Sequence, residues 1–117
     1  MAYEKPILVI DDDPDILSTV AQILEFEGYK VETATNGAEG LQVMDRVRPR
    51  VVLLDMRMPV MDGWGFARVL KDRGNHMPIL VMTAARDARR WAQEIGAKGY
   101  ISKPFDLPDL LAAVEAF

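Results

Sequence analysis

Three unbroken aliphatic runs stand out along the chain: Ile7-Leu8-Val9-Ile10, Val51-Val52-Leu53-Leu54 and Ile79-Leu80-Val81-Met82. No polar residue alternates within them, so each reads as a strand covered on both faces, as in the interior of a parallel sheet. Two less uniform runs predict flanking strands. One is Tyr29 to Thr33, with Tyr29, Val31 and Thr33 on one side, and the other is Gly99-Tyr100-Ile101-Ser102. Between the runs, apolar positions recur at helical spacing. Asp13-Pro14-Asp15 supplies a capping acid, a first-turn proline and a second acid near the positive end of the helix dipole. Ile16, Leu17, Val20, Ile23 and Leu24 follow as an apolar stripe, and Gly28 stops it. Asn36 to Glu39 has the form of a capped start, with Glu39 placed to reach back to free amides. Leu41, Met44 and Val47 line that helix before Arg48-Pro49-Arg50 breaks it. A third helix from about Trp64 carries Phe66, Val69 and Leu70 and ends near Gly74. Arg86 to Ile95 carries Ala88, Trp91, Ala92 and Ile95 on one side and stops at Gly96, and Asp106 caps a last helix with Leu110, Leu111, Val114 and Phe117.

The alternation is strand–helix five times over. Right-handed crossovers turn it into an α/β fold, a five-stranded parallel sheet with helices on both faces. No internal repeat, low-complexity segment or linker divides the chain, so residues 1–117 are read as a single domain.

Composition narrows the chemistry. There is no cysteine, hence no thiolate nucleophile and no thiolate zinc site, and one histidine, His76, leaves no room for a histidine-rich metal site or a Ser-His-Asp triad. The apolar runs are too short to cross a bilayer, and Met1 to Lys5 lacks a signal-peptide pattern, which points to the cytoplasm and against membrane insertion. A net charge of −4 argues against direct nucleic-acid binding by this chain. The seven methionines read as core filler.

Polar residues gather where the strands end: Asp11-Asp12-Asp13 after the first, Asp55 after the third, Thr83 after the fourth and Lys103 after the fifth. Open α/β sheets hold their ligands on that rim. Two carboxylates about 4 Å apart repel by roughly 4 kcal/mol at an effective dielectric of 20. If the first and third strands are neighbours, the cluster needs a proton, a cation or both. Oxygen donors alone favour a hard cation, and Mg²⁺ suits best because it accepts few carboxylates and retains waters or phosphate oxygens. With an ammonium and a hydroxyl beside it, such a pocket fits a phosphoryl group. Asp13, by contrast, reads as a cap only.

Asp11-Asp12, Asp55 with Met58-Pro59-Val60-Met61-Asp62-Gly63, Thr83-Ala84, and Gly96-Ala97 before Tyr100 and Lys103-Pro104-Phe105 together resemble a response regulator receiver domain of the chemotaxis-regulator type. The match spans essentially the whole chain, and its specificity lies in the order and intervals of the motifs. The resemblance implies a flavodoxin-like sheet in the order 2-1-3-4-5. It implies Asp55 as phosphoacceptor and Asp11, Asp12, Asp55 and the backbone carbonyl of Arg57 as ligands of Mg²⁺, with Mn²⁺ as a substitute. Thr83 and Lys103 would contact the phosphoryl oxygens, Thr83 and Tyr100 would form the switch, and Lys103-Pro104 would be a cis peptide. It implies a phosphorylation switch in a two-component phosphorelay rather than an enzyme with a separate substrate. The partners would be a sensor histidine kinase or histidine phosphotransfer protein and a downstream protein or fused effector domain.

Two features depart from the family pattern. The interval from Thr83 to Gly96 is short, which predicts a shortened or displaced fourth helix. Arg57 is large and charged for its place, and with Ala85 it occupies positions that tune dephosphorylation in the family. Arg57 is expected either to screen the acyl phosphate from water or to pair with an acid. Two other functions share parts of the pattern. A haloacid-dehalogenase-type phosphotransferase wants a second acid where Arg57 stands and its nucleophile after the first strand. A flavin-binding domain wants a Ser-, Thr- or Gly-rich phosphate loop where this chain has three acids.

Overall fold

A computed structural model describes residues 5–84 and 86–117. Ten elements alternate: β1 (Ile7–Ile10), α1 (Pro14–Phe26), β2 (Val31–Ala34), α2 (Gly37–Arg46), β3 (Val51–Leu54), α3 (Gly63–Asp72), β4 (Ile79–Thr83), α4 (Ala88–Ile95), β5 (Gly99–Ser102) and α5 (Leu107–Glu115). The strands form one sheet in the order β2-β1-β3-β4-β5, with every neighbouring pair parallel. This is the doubly wound, flavodoxin-like order that the resemblance implied.

The two-residue alternation of a strand divides each aliphatic run between two cores. Leu8, Ile10, Val52, Leu54 and Val81 pack with Leu41, Phe66, Leu70 and Trp91 beneath α2, α3 and α4. Ile7, Val9, Val51, Leu53, Leu80 and Met82 pack with Leu17, Val20, Leu24, Leu110 and Val114 beneath α1 and α5. All residues of β1 and β3 are fully buried, whereas the edge strands β2 and β5 are only partly covered. Met56 and Met82 are fully buried, and Met44, Met58, Met61 and Met77 pack against the core from its flank, as expected of core filler.

The caps form as the sequence predicts. Asp13 accepts from the amides of Asp15 and Ile16, Asn36 from that of Glu39, and Asp106 from that of Asp109. Glu39 reaches back to the Thr35 amide at 2.9 Å. Two elements start later than the sequence reading places them. β2 starts at Val31 rather than Tyr29, because the Tyr29 N–H bonds to Leu24 O and the Gly28 N–H to Glu25 O. Those two bonds, with Gly28 at φ 95°, close the end of α1 and take Tyr29 out of the ladder. α4 starts at Ala88 rather than Arg86; Asp87 makes no capping bond, and its carboxylate pairs with Arg90 at 3.3 Å instead. α4 is thus eight residues long, in keeping with the short interval that precedes it. Ala85 lies outside the described residues. No helix among the described residues is long and apolar enough to cross a membrane.

Candidate functional site

Register brings the acids together. Ile10 pairs with Leu54 across β1 and β3, so the next residues on each strand, Asp11 and Asp55, leave the sheet side by side. Backbone bonds continue the ladder one step beyond the strands: Asp55 N–H donates to Ile10 O at 2.9 Å and Asp11 N–H to Ala34 O at 3.1 Å. On the other side of β3, Thr83 pairs with Ser102, and Lys103 N–H donates to Thr83 O at 2.9 Å. Asp11, Asp12, Asp55, Thr83 and Lys103 therefore share the C-terminal edge of the sheet. The Lys103–Pro104 peptide is cis, as the resemblance implied.

The carboxylates of Asp11, Asp12 and Asp55 each offer an oxygen within 4.8 Å of the others. Asp11 is fully buried, Asp55 is 7% exposed and Asp12 faces solvent, so the group joins two buried acids to one that solvent reaches. Lys103 Nζ contacts Asp11 Oδ2 and lies 3.5 Å from Asp55 Oδ2. One ammonium among three carboxylates leaves the cluster short of positive charge when all are ionised. The donors are hard oxygens, with no imidazole or thiolate in the group, and that set fits a divalent cation of the Mg²⁺ class.

Asp55 feels opposed influences. Burial is the largest and pushes its carboxyl up; Lys103 pulls it down, and Asp11 pushes it up again. A bond from the Met56 N–H to Asp55 Oδ1 at 2.8 Å favours the ionised form, yet the balance stands at about 6 rather than 3.8. Asp55 is therefore largely ionised at neutral pH and more basic than an ordinary aspartate, which suits a carboxylate nucleophile. Asp11 also accepts from the Asp13 N–H at 2.9 Å, which ties the cap of α1 to the acid cluster.

The loop from Asp55 to Gly63 is fixed by close backbone approach. Gly63 N–H donates to Met56 O at 2.9 Å. A Cβ on Gly63 would lie 2.8 Å from both Asp55 O and Met56 Cα, so only glycine allows the start of α3 to press against the Asp55 backbone. Asp62 caps α3 by accepting from Gly65 N–H at 2.8 Å. Sequence reasoning placed Asp62-Gly63 in a loop without assigning this support; an acid three residues before a free helical amide was the available signal.

Thr83 is buried at the end of β4, and Tyr100 on β5 is 46% exposed. Arg57 is exposed, with its guanidinium over the Trp91 ring, 5.1 Å from the centroid. Among the described residues Arg57 makes no ion pair, so of its two expected roles the pairing with an acid is not found, and an aromatic ring stands beside it. Nothing in the local sequence around Arg57 signals that partner.

Comparison with known proteins agrees with this arrangement. A family model described as the response regulator receiver domain matches residues 7–115. The chain is 42% identical over 113 residues to response regulator MprA of Mycobacterium leprae, covering 94% of this chain and 49% of that protein. It is 39% identical over 112 residues to transcriptional regulatory protein PrrA of Mycobacterium tuberculosis, covering 94% and 48%. The chain thus spans about half the length of these relatives. Among solved structures, chemotaxis protein CheY4 of Vibrio cholerae superposes with a TM-score of 0.86 at 31% identity, covering 96% of this chain and 97% of that one. A CheY-like receiver domain protein of Methanospirillum hungatei gives 0.84 at 35% identity, covering 96% and 91%. With the sheet order, the acid cluster and the family match in agreement, the chain belongs to the response regulator receiver domains of two-component signalling.

Proposed function

We propose that Asp55 accepts a phosphoryl group from a phosphohistidine of a sensor histidine kinase or histidine phosphotransfer protein, in a Mg²⁺-dependent reaction that Mn²⁺ can also support. The acyl phosphate then changes the surface this domain offers to a downstream protein or a fused effector domain, in the cytoplasm. One observation carries the reading: Asp55, nearly buried and unusually basic, converges with Asp11, Asp12 and Lys103 on one sheet edge.

The chain's residues divide the work. An Asp55 carboxylate oxygen attacks phosphorus, and the phosphorus–nitrogen bond to the donor imidazole breaks with its electron pair returning to the ring. Lys103 follows the charge from carboxylate to phosphoryl oxygens, and Thr83 donates its hydroxyl to one of them. Asp11, Asp12, Asp55 and the Arg57 carbonyl would hold the divalent ion, which when bound neutralises charge on the phosphoryl oxygens. Thr83, moving towards the new anion, vacates space into which Tyr100 turns from its present exposed position, and phosphorylation thereby biases a two-state equilibrium. The phosphoacceptor role needs no separate substrate pocket.

Mass spectrometry after incubation with acetyl phosphate and Mg²⁺ tests the proposal. One added phosphoryl group on the parent protein, absent from Asp55→Asn, is the expected result. A protein that stays unmodified with Mg²⁺ present, or an Asp55→Asn variant labelled as fully as the parent, would overturn it.

A further inference from the structure

Arg57 stands two residues beyond Asp55, and its guanidinium lies within cation–π range of Trp91 on α4. Trp91 is only 4% exposed. Its ring meets Trp64 of α3 edge-on, with centroids 4.9 Å apart and planes at 69°. Trp64 Nε1 in turn donates to Glu94 Oε1 at 3.0 Å, back on α4. The loop that follows the acceptor, the first turn of α3 and the face of α4 are thus joined through one arginine and two indoles.

We infer that Trp91 is a positioning residue: it holds the Arg57 guanidinium on α4, and a phosphoryl group on Asp55 competes with the indole for that guanidinium. The inference rests on the reading of Asp55 as phosphoacceptor. A phosphoryl group carries close to two negative charges and three acceptor oxygens. An arginine fork binds such an anion by paired, charge-assisted hydrogen bonds, which outweigh the attraction of a ring quadrupole. Before phosphorylation the indole face is the better partner, because Lys103 already serves Asp11 and Asp55. After it, the anion wins. Two consequences follow from one movement. The Trp91 face loses its cationic cover, so α4 loses a tie to the acceptor loop. Arg57 meanwhile covers the acyl phosphate, slowing the step in which water attacks phosphorus, the bond to the Asp55 carboxylate oxygen breaks with its electron pair returning to the carboxylate, and inorganic phosphate leaves with the proton.

The test uses Trp91 itself as reporter. The chain has two tryptophans, so Trp64→Phe leaves Trp91 alone. Adding acetyl phosphate to this protein already holding Mg²⁺ is expected to change the Trp91 emission. The change is expected to vanish in Arg57→Met, which removes the guanidinium and keeps the backbone carbonyl assigned to the ion; mass spectrometry reports the phosphoryl group on each protein. Equal emission changes with and without the guanidinium overturn the inference. A phosphoryl group on the parent but none on Arg57→Met also overturns it, since Arg57 would then act in the transfer and not after it. No phosphoryl group on either protein overturns the phosphoacceptor reading instead. Lifetimes give a second measurement. Trp91→Leu should lengthen the acyl-phosphate lifetime about two- to fivefold, the factor a cation–π contact at a part-exposed site represents. In the Arg57→Met background the same substitution should change nothing. A merely structural Trp91 would shift both backgrounds alike, which would overturn the assignment.

Discussion

At position 55 burial and charge act in opposite directions. The carboxyl of Asp55 is raised from 3.8 to about 6, chiefly by burial. A raised native value means the folded protein holds this proton more tightly than the unfolded chain does. The resulting stabilisation is complete below pH 3.8 and is lost as pH rises through about 6. Asp55→Asn does not titrate, so it should gain on the parent across that window, by about 2 kcal/mol from linkage. Urea unfolding in chelator at pH 4 and pH 7 measures the gain; identical differences at both pH values would contradict it. Val60 is the other residue where local physics is at odds with identity. It is β-branched, 84% exposed and sits at φ 70°, in the left-handed region that side chains of its shape avoid. Val60→Gly removes that strain and no buried area, so a net gain of about 0.5–1 kcal/mol is expected after the entropy cost of glycine. A loss of stability by calorimetry would show that the valine serves the loop.

Among the elements, the junction of β3 with α3 bears most directly on the site. Gly63 permits the helix start to lie against Asp55 O and Met56 Cα at a distance no side chain tolerates. Gly63→Ala must push backbone against backbone, so it should destabilise the domain by about 1–3 kcal/mol and slow phosphoryl uptake on Asp55. Unchanged unfolding and unchanged labelling rates would mean the loop yields freely. Strands and caps were legible in the sequence because their causes are local. Ile7–Ile10 and Val51–Leu54 are apolar throughout, and Asp13, Asn36 and Asp106 each need only the amides two or three residues ahead. The misplaced boundaries have less local causes. Tyr29 belongs to the closing turn of α1 although its side chain reads as a strand residue, and Asp87 pairs with Arg90 when it could have capped α4.

For the molecule as a whole, three acids and one lysine at a single edge are a store of electrostatic repulsion that a cation relieves. Mg²⁺ binding to the native state alone should raise the unfolding temperature by several degrees, corresponding to about 2.7 kcal/mol at a hundredfold excess over its dissociation constant. Chelator should reverse the shift, and Asp12→Ala should diminish it. The same shift in Asp12→Ala and in the parent would remove Asp12 from the ligand set.

Periodicity and capping act over a few residues, so the order of residues alone sets the strand–helix alternation, the burial of the central strands on both faces, and the presence of acids, hydroxyl and lysine at strand ends. The family pattern carried the sheet order and the roles proposed for Asp11, Asp12, Asp55, Thr83 and Lys103. It took the folded arrangement to show that Lys103 is shared between Asp11 and Asp55, that burial outweighs it in raising the Asp55 carboxyl, and that Arg57 rests on an indole instead of an acid. Each of those depends on which side chains the crossovers bring within a few ångströms, a quantity that no local window of residues contains.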